Sequence, residues 1–228
     1  QEGFDLFWAF VEDEIDETGF DDIEDDETVA KKQEIQDELD EVHRILDVAR
    51  EIKSNAKIKA LQEALATAFA RQRSEGIAEK AVVFTESKRT QKYIAAELRK
   101  SGYDEKDILL FNGDFDDAMT KEIYRTWRVK NYGKPDYSVE YKHAIVDYFK
   151  DHAKVLIVTD AGSEGLNLQF CNTILNYDLP WNPQKIEQRI GRCHRYGQTH
   201  DVVAVNFLNT DNEADRRVYD ILSRKFEL

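Results

Sequence analysis

Cysteine is scarce in this chain of 228 residues: Cys171 and Cys193 are its whole complement. Two thiols cannot build a disulfide scaffold, and neither has a Cys-x-x-Cys partner for zinc. Three prolines and ten glycines exclude a collagenous or linker-like chain. No apolar run reaches the ~18 residues of a membrane span, and no signal-peptide pattern opens the chain. The sequence therefore reads as a cytoplasmic protein with no membrane partner. Basic residues are missing from one end: residues 1–30 carry 13 Asp or Glu and no Lys or Arg. The formal charge of −14 is mostly this local excess, and the remaining residues, with 33 acids against 32 bases, are nearly neutral. Net charge thus says little about partners; its distribution says more.

The chain starts at Gln1 and not at Met, which suggests a piece of a longer polypeptide. Phe4 to Val11 is an aromatic stretch expected to dock on a protein surface. Residues 12–27 are dense in like charge and are expected to be poorly ordered. From Lys31 the apolar residues Ile35, Leu39, Val42, Ile45, Leu46, Ala49 and Ile52 recur at helical spacing. That spacing predicts a long amphipathic helix with a charged outer face. Ser54 or Asn55 can cap a second helix with Ile58, Leu61, Leu65, Ala68 and Phe69 on its apolar stripe. Residues 71–80 read as a polar loop. The domain reading is an acidic, helical N-terminal extension over 1–55 and an α/β domain over 56–228.

Short apolar runs then alternate with helical patterns. Strands are predicted at Ala81–Thr85, Ile108–Phe111, Val155–Thr159, Thr173–Tyr177 and Val202–Leu208. Helices are predicted at Lys88–Lys100, Ala118–Val129, Val139–Phe149, Asn182–Tyr196 and Asn212–Phe226, with a turn over 131–135. Strands of this kind, rich in β-branched residues and lacking alternation, describe a mostly parallel sheet covered by helices on both faces.

Phosphate-binding loops are missing too. There is no Gly-x-x-x-x-Gly-Lys-Ser/Thr, no Gly-x-Gly-x-x-Gly, no His-Glu-x-x-His and no Gly-x-Ser-x-Gly. Asp40-Glu41-Val42-His43 spells the acidic box of nucleic-acid motor ATPases, but it lies in a charged helix instead of at a strand end. The chain has neither the phosphate cradle nor the magnesium carboxylate of a self-sufficient NTPase, and no metal site is expected.

What is present gathers in 155–198. Asp160, Gly162, Ser163, Glu164, Gly165 and Asn167 follow a strand, where α/β proteins bind ligands; an ordinary strand-to-helix turn reads the same way. Trp181-Asn182-Pro183 opens the next helix, with Asn182 as cap, Pro183 at the first position and Trp181 placed to staple against Ile186. On a helical wheel Ile186, Ile190 and Cys193 share one sector. Gln188, Arg192 and Arg195 share the opposite one, with no acid one turn away on their face. Such arginines suit an anionic ligand delivered from outside, or are a solvated face. Cys193 sits beside His194, but its position in the apolar sector makes it a small core residue.

Residues 159–169 (TDAGSEGLNLQ), 178–183 (DLPWNP) and 188–198 (QRIGRCHRYGQ) resemble the fifth and sixth motifs of superfamily 2 helicase-like ATPases. Trp-Asn-Pro and Arg-Tyr-Gly-Gln resemble the Swi/Snf-type branch, near its bacterial, RNA-polymerase-recycling members. Val82 to Thr85 and Leu110 to Gly113 are similar to the fourth motif and the strand end that follows it. The resemblance spans about Lys57 to Leu208. It implies the C-terminal RecA-like lobe of an ATP-driven translocase on double-stranded DNA, working with an N-terminal RecA-like lobe of the same protein that mainly holds ATP and magnesium.

By position in those motifs, Arg192 and Arg195 are implied as arginine fingers, and Gln188 as the residue linking the nucleotide cleft to the rest of the site. Gly165, Asn167 and Glu164 fall at the cofactor cleft; Thr159, Ser163, Thr85 and Gly113 fall near the DNA backbone. Glu164, an acid where relatives carry a small or basic residue, is expected to order Arg189 or the neighbouring loop. The isolated chain is expected to be inactive as an ATPase. RNA polymerase or another DNA-bound protein is the implied target. An RNA-helicase lobe and a non-enzymatic protein-docking module are the alternatives.

Overall fold

The computed structural model describes residues 26–51, 55–115, 117–131, 136–209 and 212–226. The expectations for Phe4–Val11, for most of 12–27 and for most of the 131–135 turn fall outside these. The chain divides into two compact units between Ser54 and Asn55. In the first unit, helix α1 spans Asp26–Glu51. Its predicted apolar stripe is largely in solvent, with Ile35, Val42 and Ile45 all exposed.

The second unit opens with helix α2 (Ala56–Ser74), capped by Asn55, whose side chain accepts from the Lys57 and Ile58 N–H groups. It continues β1 (Ala81–Thr85), α3 (Lys88–Lys100), a 3₁₀ turn (Glu105–Asp107), β2 (Ile108–Phe111), α4 (Ala118–Lys130), α5 (Tyr137–Asp151) and β3 (Val155–Thr159). After β3 come a single turn α6 (Asp160–Ser163), β4 (Thr173–Asn176), α7 (Pro183–Cys193), β5 (Val203–Asn206) and α8 (Glu213–Phe226).

The five strands form one parallel sheet in the order β2-β3-β1-β4-β5. Alternate strand residues feed two cores. Val82, Phe84, Leu109, Leu156, Val158 and Ile174 face α4, α5 and α7. Val83, Ile108, Val155, Ile157 and Leu175 face Ile58, Leu61, Leu65 and Phe69 of α2 and Ile94 and Leu98 of α3. Both faces are covered, which is why the strands read as continuous apolar runs.

The predicted loop over 71–80 needs correction. Helix α2 runs on to Ser74, and Gln72 and Lys80 are buried. The Gln72 amide donates to the Lys80 carbonyl at 2.8 Å and to Asn172 Oδ1 at 2.7 Å, and accepts from the Lys80 N–H. Lys80 Nζ donates to the carbonyls of Phe149 and Ala153, closing the end of α5. Burial pushes that ammonium below the ordinary lysine value. Buried polar groups of this kind are paired, so these positions tie α2, α5 and the starts of β1 and β4 together.

Candidate functional site

In an all-parallel sheet every strand ends on the same side, so Thr85, Gly113 and Asp160 share one edge. The segments after β2 and β3 meet there at close range. Thr159 Oγ1 donates to the Asn112 carbonyl at 3.1 Å and accepts from the Gly162 N–H at 3.2 Å. A Cβ at Gly162 would lie 2.6 Å from the Phe111 carbonyl oxygen. Gly113 turns away at φ +89°, and a Cβ there would lie 3.3 Å from the Gly162 nitrogen. Glycine at both positions lets the loops after β2 and β3 touch. Beside them lies a depression of about 490 Å³, with Glu86, Lys88, Asn112, Asp114, Asp160 and Lys185 in its wall, Lys88 pairing with Asp114.

The anchor of this edge is Arg189, to which the motif reading gave no site role of its own. It is 2% exposed and the largest fully buried side chain among the described residues. Its Nε donates to Asp160 Oδ1 at 2.7 Å and its Nη2 to Asp160 Oδ2 at 3.0 Å. Nη1 donates to Asn176 Oδ1 at 3.0 Å and to the Asp178 carbonyl at 2.8 Å. The guanidinium lies 5.0 Å from the centre of the Phe84 ring. Burial alone would raise the Asp160 carboxyl; the Arg189 hydrogen bonds and charge, with Lys185 at 3.6 Å, outweigh it and hold the group below its ordinary value. A signal was in the sequence. Position 189 is three after Ile186 and four before Cys193, on the apolar face, and a buried guanidinium needs an acid. Arg189 is thus ordered by Asp160. Glu164 is exposed and plays no part in it.

The hydroxyls expected near DNA are engaged internally. Thr85 Oγ1 donates to Asp178 Oδ2 at 2.6 Å, Ser163 Oγ donates to the Asp160 carbonyl at 2.8 Å, and Thr85, Thr159 and Ser163 are buried. Asp178 also accepts from the Glu86 N–H at 3.1 Å and faces Lys57 Nζ at 3.4 Å.

A second group forms along the loop after α6. The Leu168 N–H donates to the Arg192 carbonyl at 3.0 Å, and Gln198 Nε2 donates to the Cys171 carbonyl at 3.2 Å. The segment holding exposed Gly165 and Asn167 therefore adjoins the end of α7 and the turn beyond it. Gln188 and Arg195 are exposed and Arg192 is half-buried. Among the described residues neither arginine pairs with a carboxylate, and Arg192 Nε is buried without a partner.

Two details of α7 differ from the helical wheel. Asn182 caps it through the Gln184 N–H and Pro183 opens it, but the helix stops at Cys193, where His194 leaves helical geometry at φ −84°, ψ 83°. Arg195 is therefore presented by a turn. Trp181 does not staple to Ile186: the indole is 74% exposed, while Ile186 packs with Val218 of α8 and Leu179. Cys171 and Cys193 are both buried. Hydrogen bonding to Cys171 and burial push the Cys193 thiol well up, which leaves it no nucleophile at neutral pH. Among the described residues no cluster of three or more His, Cys, Asp or Glu could hold a metal ion, and no helix is long and apolar enough to cross a membrane.

A parallel sheet covered on both faces, with one edge locked by a buried Arg–Asp pair, and with two arginines near a glycine-bearing loop that pair with no carboxylate among the described residues, defines a RecA-like α/β lobe. Residues 56–197 match the family described as Helicase conserved C-terminal domain, and the chain belongs to it. It is 38% identical over 152 residues to the uncharacterized ATP-dependent helicase YqhH of Bacillus subtilis (strain 168), covering 67% of this chain and 23% of that protein. It is 46% identical over 66 residues to the RNA polymerase-associated protein RapA of Serratia proteamaculans (strain 568), covering 28% of this chain and 7% of RapA. The chain thus spans less than a quarter of these curated relatives. The C-terminal part of the Fun30 ATPase domain superposes with a TM-score of 0.52 at 19% identity, over 74% of this chain and 46% of that one. Domain 2 of the Mss116p DEAD-box helicase bound to an RNA duplex gives 0.51 at 17% identity, over 75% and 57%. These last two show the fold. Together the family match and the curated relatives place the chain as a superfamily 2, Swi/Snf-related C-terminal helicase lobe akin to the RapA proteins.

Proposed function

We propose that this chain is the second motor lobe of an ATP-dependent double-stranded DNA translocase, acting with a first lobe of the same protein. One observation carries the reading: the loop bearing Gly165 and Asn167 is tied to the Arg192 carbonyl through the Leu168 N–H, Arg195 follows on the turn after α7, and neither arginine is neutralised by a carboxylate among the described residues. Arginines in that state suit a polyphosphate brought by another surface. Hydrolysis of ATP, held with magnesium mainly by the first lobe, supplies the energy of the cycle. Arg192 and Arg195 stabilise negative charge at the γ-phosphoryl group, an effect that can be worth roughly 10³- to 10⁵-fold in rate. Gln188, one turn before Arg192 on α7, lies on the same side and couples that cleft to the rest of the lobe. Glu164 orders the cleft side of its loop.

DNA contact belongs to the C-terminal edge of the sheet. With Thr85, Thr159 and Ser163 engaged internally, their part is to hold the edge in shape around Gly113. Lys88 and Lys185 of that depression exchange their exposed pairings with Asp114 and Asp160 for the phosphates. Backbone contact without base reading is what a translocase needs. The target displaced by the motor is RNA polymerase or another DNA-bound protein.

The test uses the isolated chain and the full-length protein that contains it. The isolated chain should hydrolyse ATP at background rate and bind duplex DNA weakly, with affinity falling steeply as salt rises. The full-length protein should show hydrolysis stimulated by duplex DNA and not by RNA. Stimulation by RNA alone would favour an RNA-helicase lobe, and DNA-stimulated turnover by the isolated chain would overturn the two-lobe assignment.

A further inference from the structure

A second open cavity among the described residues lies away from the site described above. It is a groove of about 1060 Å³ between α4, α5 and the 3₁₀ turn before β2. The two helices that build it both lie in the β2-to-β3 crossover. Met119, Ile123 and Trp127 of α4, spaced i, i+4, i+8, form one wall; Ala144 and Tyr148 of α5, again four apart, form the other. Two such ridges with a valley between them accept a ridge from a third helix. Apolar surface left open in this arrangement marks an interaction site, and a methionine and two aromatics give a floor able to mould to its guest.

The rim has a sign. Asp104 and Glu105 stand at one end, and Glu122, Asp147 and Asp151 along the sides, against Lys106 and Lys130. Some of these acids have neighbours: Trp127 Nε1 donates to Asp147 Oδ2 at 2.7 Å, Glu122 pairs with Arg125 at 3.4 Å, Lys106 lies 3.9 Å from Asp104, and Arg99 lies 3.9 Å from Glu105. The ion pairs are exposed and weak, so their acids remain open to an incoming cation.

From the apolar valley and its acidic border we infer that this groove is a docking site for a basic amphipathic helix of a partner protein, with apolar side chains seated over Ile123 and Tyr148 and Lys or Arg reaching the rim. Charge complementarity selects this occupant. The groove lies at the N-terminal end of edge strand β2, since its residues 104–106 and 151–152 immediately precede β2 and β3. The site residues gather at the other strand end and along α7, and none of them lines the groove. A partner bound here leaves the motor surface open.

The test measures fluorescence anisotropy of labelled peptides about 18 residues long, five helical turns, against the full 228-residue chain. One peptide carries Leu on one face and Lys on the flanks, a second replaces Lys by Glu, and a third scrambles the first. The first should bind at least about tenfold more tightly than the others, since it alone matches both spacing and charge. Ile123→Asp should remove that preference. Asp151→Lys, an exposed change that leaves the floor and the fold intact, should weaken binding about threefold or more and make it less salt-dependent. Equal binding of the scrambled peptide would show mere attraction to the acidic chain and overturn the proposal, as would unchanged affinity in Asp151→Lys. Sedimentation supplies the remaining outcome: self-association of the chain that Ile123→Asp abolishes and the peptide competes away would make a second copy the occupant and overturn it as well.

Discussion

Arg189 and Asp160, 29 residues apart in the chain, face each other through two parallel hydrogen bonds of 2.7 and 3.0 Å. One stands on α7 and the other opens α6 directly after β3, so the pair fastens the sixth-motif helix to the fifth-motif loop. Removing one member of a buried ion pair leaves the other uncompensated, at about 3–5 kcal/mol. Asp160 keeps 28% of its side chain in water, which puts the expected loss near the lower end. Arg189→Ala and Asp160→Ala should each lower the unfolding free energy by about 3 kcal/mol in urea titrations. The double variant should lose less than the sum, because neither charge is then left alone. Additive losses would show that the two residues act separately.

The same pair sets an acid limit. The Asp160 carboxyl is held below its ordinary value near 3.8. Its contribution is therefore complete above that value and disappears as pH falls through the lower folded-state value. Glu79, held down by Arg73 and Lys154 against its own burial, adds in the same direction. Stability of the wild type should fall below about pH 4, while Asp160→Asn should start lower and fall less steeply, the two curves converging. Parallel curves would remove Asp160 from the acid transition.

At the alkaline end the sign reverses. Burial first, and then the charges of Tyr93 and Asp178, raise the Tyr177 phenol to about 12. A proton held more tightly by the folded state gives stability that is whole below the ordinary value of 10.0 and is lost as pH rises from there to about 12. Tyr177→Phe cannot ionise, so its unfolding midpoint should decline less than that of the wild type over this window. Equal decline would assign the loss to other tyrosines, such as Tyr103 and Tyr148, which burial also raises.

Two glycines of the motif region should respond oppositely to the same substitution. A methyl at Gly162 would stand 2.6 Å from the Phe111 carbonyl oxygen and 2.9 Å from Asn112 Cα, and backbone on both sides cannot yield cheaply. Gly162→Ala should cost about 1–3 kcal/mol. Gly191 lies within α7 with nothing within 4 Å of its would-be Cβ. Gly191→Ala should stabilise by up to about 1 kcal/mol through helix propensity. Thermal unfolding of the two variants decides it: a stable Gly162→Ala would mean that the loops after β2 and β3 do not touch as described.

The central elements were legible because their signals are local. Ala81–Thr85, Ile108–Phe111 and Val155–Thr159 are apolar runs bounded by polar residues, and Ser87, Asn55 and Asn182 are cap residues with their N–H partners in reach. The helicase-family motifs pointed to the right lobe. What escaped depends on contacts far along the chain. Gln72 reads as polar loop, yet its amide meets Asn172, a hundred residues away. The sequence offers Glu164 as a partner for Arg189, and only the fold brings Asp160 to it. The wheel assumed a helix through Tyr196, and the early stop at Cys193 moved Arg195 onto a turn. Trp181 had an apolar neighbour in sequence, but Ile186 was taken by Val218 of α8.

The remaining prediction separates a finger from a packing residue. Arg195 is exposed and Arg192 half-buried, and neither pairs with a carboxylate among the described residues. Arg195→Ala should therefore shift the stability of the isolated chain by no more than about 0.5 kcal/mol. Arg192→Ala should lose slightly more, since its stem covers part of the lobe and its Nε is already without a partner in the fold. In the full-length protein both changes should depress DNA-stimulated ATP turnover by several orders of magnitude, because a finger acts when charge develops in the transition state. ATP binding should change far less than turnover if, as proposed, a first lobe holds most of the nucleotide. The measurements are thermal unfolding of the chain, nucleotide affinity, and single-turnover hydrolysis for each variant. Wild-type turnover in both variants would remove the finger assignment. A large loss of stability with a proportionate loss of activity would make these arginines packing residues instead.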